Sequence, residues 1–421
     1  MLRKLRVSRF KSIYEDELEF GSVNIFIGPN GAGKSNILEA LGVVSAIFSR
    51  GLDPNELDIK GIRLSLPHIF KSAFKGHDLP KTFRLEATFD NGRYDCSIRA
   101  STTSAYLEFF TEALYDGNSL VYGRSMHGIK VHSGGITSNI VDRLEIEDNR
   151  SVWSVVGPLI EISAEFREEL EEFSRYAIYA PQTAIMRGLA VDNRVIEPLG
   201  LTGSGLAVAI EEAMHSADKV AFRDMISVIW EPGWANQIQV NEFRTDVVPS
   251  HVSAGGRLLY IRDRYMRGGR NYLSAFDASE GTLYLVFVAA LLAHPLTPSI
   301  FALDNVDGTL NPKLVRSLTS HIVKVCTSSS KSLRHRQVFM TSHHPSALDS
   351  FDIFDDNQRI FIASRVLEET SAPSGLSRAI GSTHFRRFTP PKDTNRDEWK
   401  AKHSGKNLSE LLLDNRIRDA L

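Results

Sequence analysis

The segment Gly28-Pro29-Asn30-Gly31-Ala32-Gly33-Lys34-Ser35 has the residue types and spacing of a phosphate-binding loop, G-x-x-x-x-G-K-[ST]. Backbone N–H groups of such a loop point at phosphate oxygens, and the helix that follows favours negative charge at its N-terminus. Lys34 is placed to reach the β- and γ-phosphates of a nucleoside triphosphate, and Ser35 to ligate magnesium. Asn30, Gly31, Ala32, Gly33 and Asn36 complete the cradle. The motif needs a strand before it and a helix after it. Val23–Ile27 reads as that short buried strand and Asn36 to Ser45 as the helix opening.

A triphosphate site needs more than a loop. The string Pro298 to Asp307, PSIFALDNVD, is a hydrophobic strand ending in Asp304, a carboxylate suited to the magnesium hydration shell. A second strand, Arg336 to Thr341, runs into Ser342-His343-His344-Pro345. A histidine at a strand end can meet a γ-phosphate through a ring nitrogen. Ser279-Glu280-Gly281-Thr282 opens an apolar helix, with Ser279 as its cap and free N–H groups in its first turn. Each piece also has a plain structural reading: a buried strand capped by aspartate, a satisfied core histidine, a capped core helix. Their order along the chain gives them weight.

The elements that must position these residues are partly legible. Leu2 to Phe10 alternates weakly, with Leu5 and Val7 between basic residues, and reads as an edge strand that Asp16 to Phe20 would pair with. Leu38, Ala40, Leu41 and Val44 give one apolar face of the helix after the loop, which Gly51 and Pro54 end. Phe83, Leu85, Ala87 and Phe89 alternate with polar residues. Asn91-Gly92 follows, then Tyr94, Cys96 and Ile98, the pattern of a β-hairpin. Short strands and glycine turns such as Ser133-Gly134-Gly135 continue to about residue 160. Helices are expected over Ala164 to Phe173 and Leu206 to Val228, strands over Gln237 to Phe243 and Leu258 to Tyr265. The tail, Glu368 to Lys406, reads as loops before a short helix near Leu408 to Leu421.

The chain has 421 residues, 42% hydrophobic and 24% charged, with a formal net charge of -2. That suffices for a full core and demands no polyanionic partner overall. Cys96 and Cys326 show no disulfide pattern. The first ten residues lack the apolar stretch of a signal peptide. The longest apolar run, Leu285 to Ala293, is too short to span a bilayer. A cytoplasmic protein with no membrane partner is expected.

RVSRFKS, Arg6 to Ser12, then VNIFIGPNGAGKSNILEAL, resembles ATPases of the ABC superfamily in the branch holding SMC, Rad50, RecF and the overcoming-lysogenization-defect (OLD) proteins. The similarity is greatest to stand-alone, OLD-like ATPases of bacterial anti-phage defence. Ser279-Glu280-Gly281-Thr282-Leu283 resembles the signature motif and His343 the switch histidine. The resemblance implies an α/β fold: an ABC-type P-loop head with a mixed core sheet, an antiparallel β subdomain and an inserted helical lobe. On this reading residues 1–350 form a split ATPase core, with 80–160 as antiparallel elaboration and 161–270 as a mainly helical insertion. Residues 351–421 supply a C-terminal strand, loops and a short helix.

The resemblance also implies ATP and Mg2+ as cofactors and a homodimer or higher homo-oligomer. Two subunits would lie head to tail, with Ser279 and Gly281 of one meeting the γ-phosphate held by Lys34 of the other. Pro312 lies in the segment resembling the interface loop. Ser35, Asp304 and Gln182 are the implied metal-site residues; Lys34, Asp304, Asn305, Asp307 and His343 are the implied catalytic set. The family's water-polarising glutamate is replaced by Asn305, whose amide has no useful basicity. Hydrolysis should be slow. Asp307 either takes over a polarising role or is simply structural. Arg187 and Arg194 are candidates to line the nucleotide lobe.

Two basic clusters invite DNA or RNA contact. One is Arg3, Lys4, Arg6, Arg9 and Lys11; the other is Arg262, Arg264, Arg267 and Arg270, with Tyr260 and Tyr265 interleaved. Many OLD proteins carry a nuclease after the ATPase. The acids of Asp349 to Asp356 form no complete metal site, so a separate effector, a nuclease or toxin, is the expected partner. The alternatives are a RecF-like DNA-repair or chromosome-maintenance ATPase, and a mainly structural ATP-bound scaffold.

Overall fold

The computed structural model describes residues 1–75, 77–101, 106–132, 146–192, 194, 197–215, 226–227, 229–248, 256–327, 337–371, 377–391 and 394–414. The central element is a six-stranded mixed sheet. Its strands are β3 (Val23–Ile27), β9 (Ile178–Tyr179), β13 (Ile300–Leu303), β14 (Gln337–Ser342), β15 (Gln358–Ser371) and β16 (Ser377–Phe388), in the order β16-β15-β3-β14-β13-β9. All neighbours run parallel except β15 and β16. The buried apolar runs VNIFI and IFAL explain the placement, because a parallel sheet is covered on both faces.

Alternation along these strands divides two cores. Phe26, Ala302 and Phe339 face one; Ile25, Ile27, Leu303, Val338 and Met340 face the other, beneath the helices Glu280–Ala293 and Pro312–Thr327. The first core is closed by α1 (Lys34–Ser49) and a seven-stranded antiparallel sheet. That sheet contains β1 (Leu2–Phe10), β2 (Ile13–Glu19), β4 (Phe83–Phe89), β5 (Gly92–Ala100), β6 (Leu107–Asp116), β7 (Ser119–Ser125) and β8 (Gly128–Val131). Because α1 lies between two sheets, 13 of its 16 residues are buried. The single apolar face expected for it is therefore too narrow. Each fully buried Leu or Ile there contributes about 1.5–3 kcal/mol by leaving water.

β1 is not an edge strand. It lies between β2 and β4, and its outward Arg3, Lys4 and Arg6 pair with Asp90, Glu17 and Glu15. The β4–β5 hairpin forms as expected, with Asp90-Asn91 between its strands. Gly92 opens β5 for a packing reason: a Cβ there would lie 2.3 Å from the Phe166 ring.

Residues 161–270 hold the helices Ala164–Phe173, Thr183–Met186 and Leu206–His215. They also hold β10 (Ala235–Asn241) and β11 (Leu258–Asp263), which form a three-stranded sheet with β12 (Tyr272–Ser274). The expected glycine turn at 133–135 and most of the helix beyond His215 lie outside the described residues. The tail corrects the sequence reading most. Residues expected as loops form the long β15–β16 hairpin, and β15 joins the core sheet beside β3. Its polar residues mislead because the strands extend past the sheet's buried centre. The last described helix is Leu408–Leu413, and residues 415–421 lie outside the description.

A polar cluster is enclosed by the antiparallel sheet. Glu112 accepts a hydrogen bond from Val152 N at 2.9 Å and stands 3.9 Å from Arg124, with Tyr94 and Tyr122 beside it. Burial pushes the Glu112 carboxyl up to about 7, against the opposing effects of Arg124 and the Val152 N–H. The folded form thus holds a proton that the unfolded chain releases near 4.5. Its stabilising contribution is full below that value and is lost as pH rises toward 7, by about 3 kcal/mol. Glu112→Gln should remove this loss. The difference in melting temperature between variant and wild type should rise in the variant's favour from pH 4.5 to pH 7. A difference that does not change with pH would show that the carboxyl does not titrate there.

Candidate functional site

The parallel strands deliver their carboxyl ends to one edge of the core sheet. Ligands of open α/β sheets bind outside such ends. Ile27 is in register with Ser342, and Leu303 with Met340, so Gly28, His343 and Asp304 emerge close together. The loop itself needs glycine at Gly33. Its φ is +96°, and a Cβ would lie 2.4 Å from Thr383 Oγ1 and 2.8 Å from Ser12 Oγ.

Lys34 donates from Nζ to the carbonyls of Gly28 at 2.8 Å and Pro29 at 3.0 Å, and lies 3.0 Å from His343 Nδ1. Its ammonium has only donors, so Nδ1 accepts and the ring proton sits on Nε2. Nε2 in turn donates to Asn305 Oδ1 at 3.0 Å. Lys34, His343 and Asn305 therefore form one directed chain across three strand ends. Burial is the main cause holding the Lys34 pKa below its usual value, against attraction from Asp304 and Asp307.

Ser35 Oγ is 3.0 and 3.1 Å from the two Asp304 oxygens. Thr341 Oγ1 donates to Asp304 and accepts from Asn305 N at 2.8 Å. Hydroxyl and carboxylate oxygens side by side are the donor set a hard cation such as Mg2+ takes. Asn305 has φ +59°, a left-handed conformation that asparagine tolerates better than most residues. Asp307 Oδ2 accepts from His343 N at 3.1 Å, whereas Oδ1 is buried without a hydrogen bond among the described residues.

Gln182 is exposed and precedes the helix Thr183–Met186. It follows β9, whose Tyr179 carbonyl accepts from Asp304 N at 2.9 Å, so it enters from the strand next to Asp304. Arg187 donates to the Ala278 carbonyl, tying that helix to the turn before Ser279. Arg194 is engaged by Asp192, which it holds down at about 2, and by Asp58 at 3.6 Å. Ser279 caps the helix Glu280–Ala293 through Thr282 N. Gly281 packs against Thr309 and Leu310, in the loop between Asp307 and Pro312, and Pro312 opens its own helix. Within the chain, the hydrogen bonds described for Ser279 stay in its own turn.

Several contacting residues were missed by sequence reasoning. Ser12 and Thr383 share a 2.7 Å hydrogen bond, Thr383 Oγ1 donates to the Ala32 carbonyl at 2.8 Å, and Asn36 Nδ2 donates to Ser12 Oγ at 2.7 Å. The C-terminal hairpin thereby pins the phosphate loop. Thr341 carried one signal, a polar residue within the apolar strand β14. Glu39, buried on α1, pairs with both Lys11 and Arg63. Beside Asn36 opens a cleft of about 510 Å³, with Lys11, Arg63, His68, Phe74 and Arg365 in its wall.

The first basic cluster is largely neutralised by Asp90, Glu17, Glu15 and Glu39. Tyr260 is buried, with its hydroxyl on the Glu242 carbonyl, and is not interleaved at the surface; Tyr265 is exposed. The acids near Asp349 serve Arg316, Arg387 and Arg396, and no three-residue metal cluster occurs among the described residues. Cys96 and Cys326 are buried and unpaired by disulfide. Among the described residues no helix is long and apolar enough to cross a membrane.

The family profile described as "AAA domain" matches residues 4–179, and the one described as "AAA domain, putative AbiEii toxin, Type IV TA system" matches residues 207–349. The site and these two matches, each over less than half of the chain, are those of a generic ABC/AAA-type P-loop ATPase. The chain is 49% identical over 45 residues to the DNA replication and repair protein RecF of Magnetococcus marinus (strain ATCC BAA-1437 / JCM 17883 / MC-1), over 10% of this chain. The match spans 12% of that relative's length. Among solved structures, the SMC head bound to the C-winged helix domain of ScpA aligns with TM-score 0.49 and 15% identity, over 92% of this chain and 98% of that one. The Smc head with an extended coiled coil bound to the C-terminal domain of ScpA, derived from Pyrococcus furiosus, aligns with TM-score 0.48 and 13% identity over 99% of both chains.

Proposed function

We propose that this chain is a slow ATPase that closes as a homodimer around ATP. The observation that carries the reading is the chain Lys34–His343–Asn305 beside the Ser35–Asp304–Thr341 group, assembled from three parallel strand ends. Lys34 would exchange its two carbonyls for phosphate oxygens, a charge-assisted bond that is stronger than either. Ser35 and Asp304 would hold Mg2+, which supplies charge neutralisation at the phosphates. Gln182 would reach the metal from the neighbouring strand. The cationic cleft beside Asn36 has the size and the Phe74 ring for the base and sugar. Asn305 would orient water but not deprotonate it, which makes turnover slow and the closed state long-lived.

Ser279 and Gly281 form an exposed helix start whose hydrogen bonds within the chain do not extend to the phosphate loop. A second copy related by a two-fold axis would present that start to Lys34, giving two sites. Sedimentation velocity tests this. Wild type is expected to shift from monomer to dimer with ATP under non-hydrolysing conditions. Lys34→Ala and Ser279→Arg should each stay monomeric, and an equal mixture of the two should recover dimer with one intact site. Monomer under every nucleotide condition would overturn the dimer.

For the cellular role, the anti-phage reading with a separate nuclease or toxin effector is supported by the toxin-system description of the profile at 207–349. The repair reading is supported by the short RecF match. Affinity purification from the native host separates them: a toxin or nuclease subunit supports the first, DNA with repair proteins the second. An ATP-retaining assembly with neither would support the scaffold reading.

A further inference from the structure

We propose that the loop between β11 and β12, residues 264–271, binds single-stranded nucleic acid. This inference is independent of the nucleotide site. Arg262 to Arg270 carries four arginines against one aspartate, Asp263. Unlike the N-terminal basic cluster, these arginines have no carboxylate within ion-pair distance among the described residues. Arg262 bonds Gln237 Oε1 at 3.3 Å and Arg264 the Gly233 carbonyl at 3.3 Å, both neutral oxygens. Asp263 is spent on the turn, accepting from Tyr265 N at 2.8 Å. The charge is therefore displayed rather than consumed, as a phosphate backbone requires.

Tyr265 is 74% exposed, with the Arg264 guanidinium 5.1 Å from its ring centroid. An exposed ring beside arginine is a stacking platform for an unpaired base, and a duplex hides the face that such a ring needs. Gly268 and Gly269 have open space where a side chain would stand, which admits a backbone at close range. On the sheet face, Gln239 Nε2 donates to Tyr272 OH at 3.1 Å and Tyr272 OH to Gln237 Oε1 at 3.4 Å. Tyr272 also packs on the cluster of Val248, Leu258 and Tyr260 with the Arg244 guanidinium 5.3 Å from its ring centroid, so the loop, and not this face, carries the exposed platform. The loop carries no helix to enter a major groove, which argues against duplex readout.

The test is fluorescence anisotropy of the full chain with 5′-labelled oligo(dT) and oligo(rU) of about 20 nucleotides, a length that covers known single-strand site sizes. Duplex DNA of that length and poly-glutamate are the comparisons. Tyr265→Ala should weaken binding about tenfold or more with an unchanged salt slope. Arg267→Ala/Arg270→Ala should reduce the slope of log affinity against log salt by about 1.4. Circular dichroism and ATP binding should match wild type in both, showing that the fold is kept. Binding of either oligonucleotide with these effects supports the proposal, and their ranking identifies DNA or RNA as the source. No binding at about 50 mM salt overturns it, as does poly-glutamate or duplex bound as tightly, or both variants behaving as wild type.

Discussion

Lys34→Ala is expected to lower ATP affinity by about ten- to a hundredfold, because a hydrogen bond to a charged group contributes about 1.5–3 kcal/mol. The fold should survive. Lys34 bonds within the chain to the Gly28 and Pro29 carbonyls, at the mouth of the site, and its burial disfavours the ammonium rather than anchoring the loop. The loop is held instead by Thr383 on the Ala32 carbonyl and by Asn36 on Ser12. Calorimetric titration with ATP and Mg2+, paired with a melting curve, separates the two effects. Affinity equal to wild type would remove Lys34 from the phosphate site. A melting temperature lowered together with affinity would make the lysine a structural residue. His343→Ala should have a smaller effect on binding, since Lys34 keeps its charge and its reach to the loop without that contact.

The second large effect concerns turnover. Asp304→Ala should lower phosphate release about a hundredfold or more. It removes the carboxylate that Ser35 and Thr341 jointly orient, and with it the charge that would hold the metal. Asp307→Ala should cost less, because one of its oxygens positions the His343 main chain and the other is unused in the described structure. Wild-type turnover should be slow throughout. Asn305→Asp places a base where the amide now accepts from His343 Nε2, and should raise turnover about tenfold or more, within the range general bases supply. Asn305→Glu should gain less. The backbone there is left-handed, which costs an ordinary L-residue roughly 1–2 kcal/mol. Steady-state phosphate release across the four variants is the measurement. A fast wild-type enzyme indifferent to Asp304→Ala would overturn the assignment of the metal site.

The fold class and the main line of the site were legible because they rest on short-range signals. The buried run Val23–Ile27, the glycine loop and the helix from Lys34 are contiguous, and the strand ends at Asp304 and His343 are written beside apolar runs of strand length. The β4–β5 hairpin is local in the same way. What pairs with what is not local. Nothing near Leu2 says that β4, more than seventy residues later, would cover its second edge and make β1 an interior strand. A polar tail gave no sign that Thr383 would lie against Gly33 and bond Ser12, because Ser12 and Thr383 stand 371 residues apart in the chain. Charge was ambiguous for the same reason. The sequence determined that two basic clusters exist. Only the tertiary structure decided that one is matched by carboxylates across strands and turns, while the other stands on a loop with neutral acceptors. Residue type and near-neighbour spacing set the chemistry available, and long-range strand pairing set which groups meet, since loop closure brings together partners that no local pattern encodes.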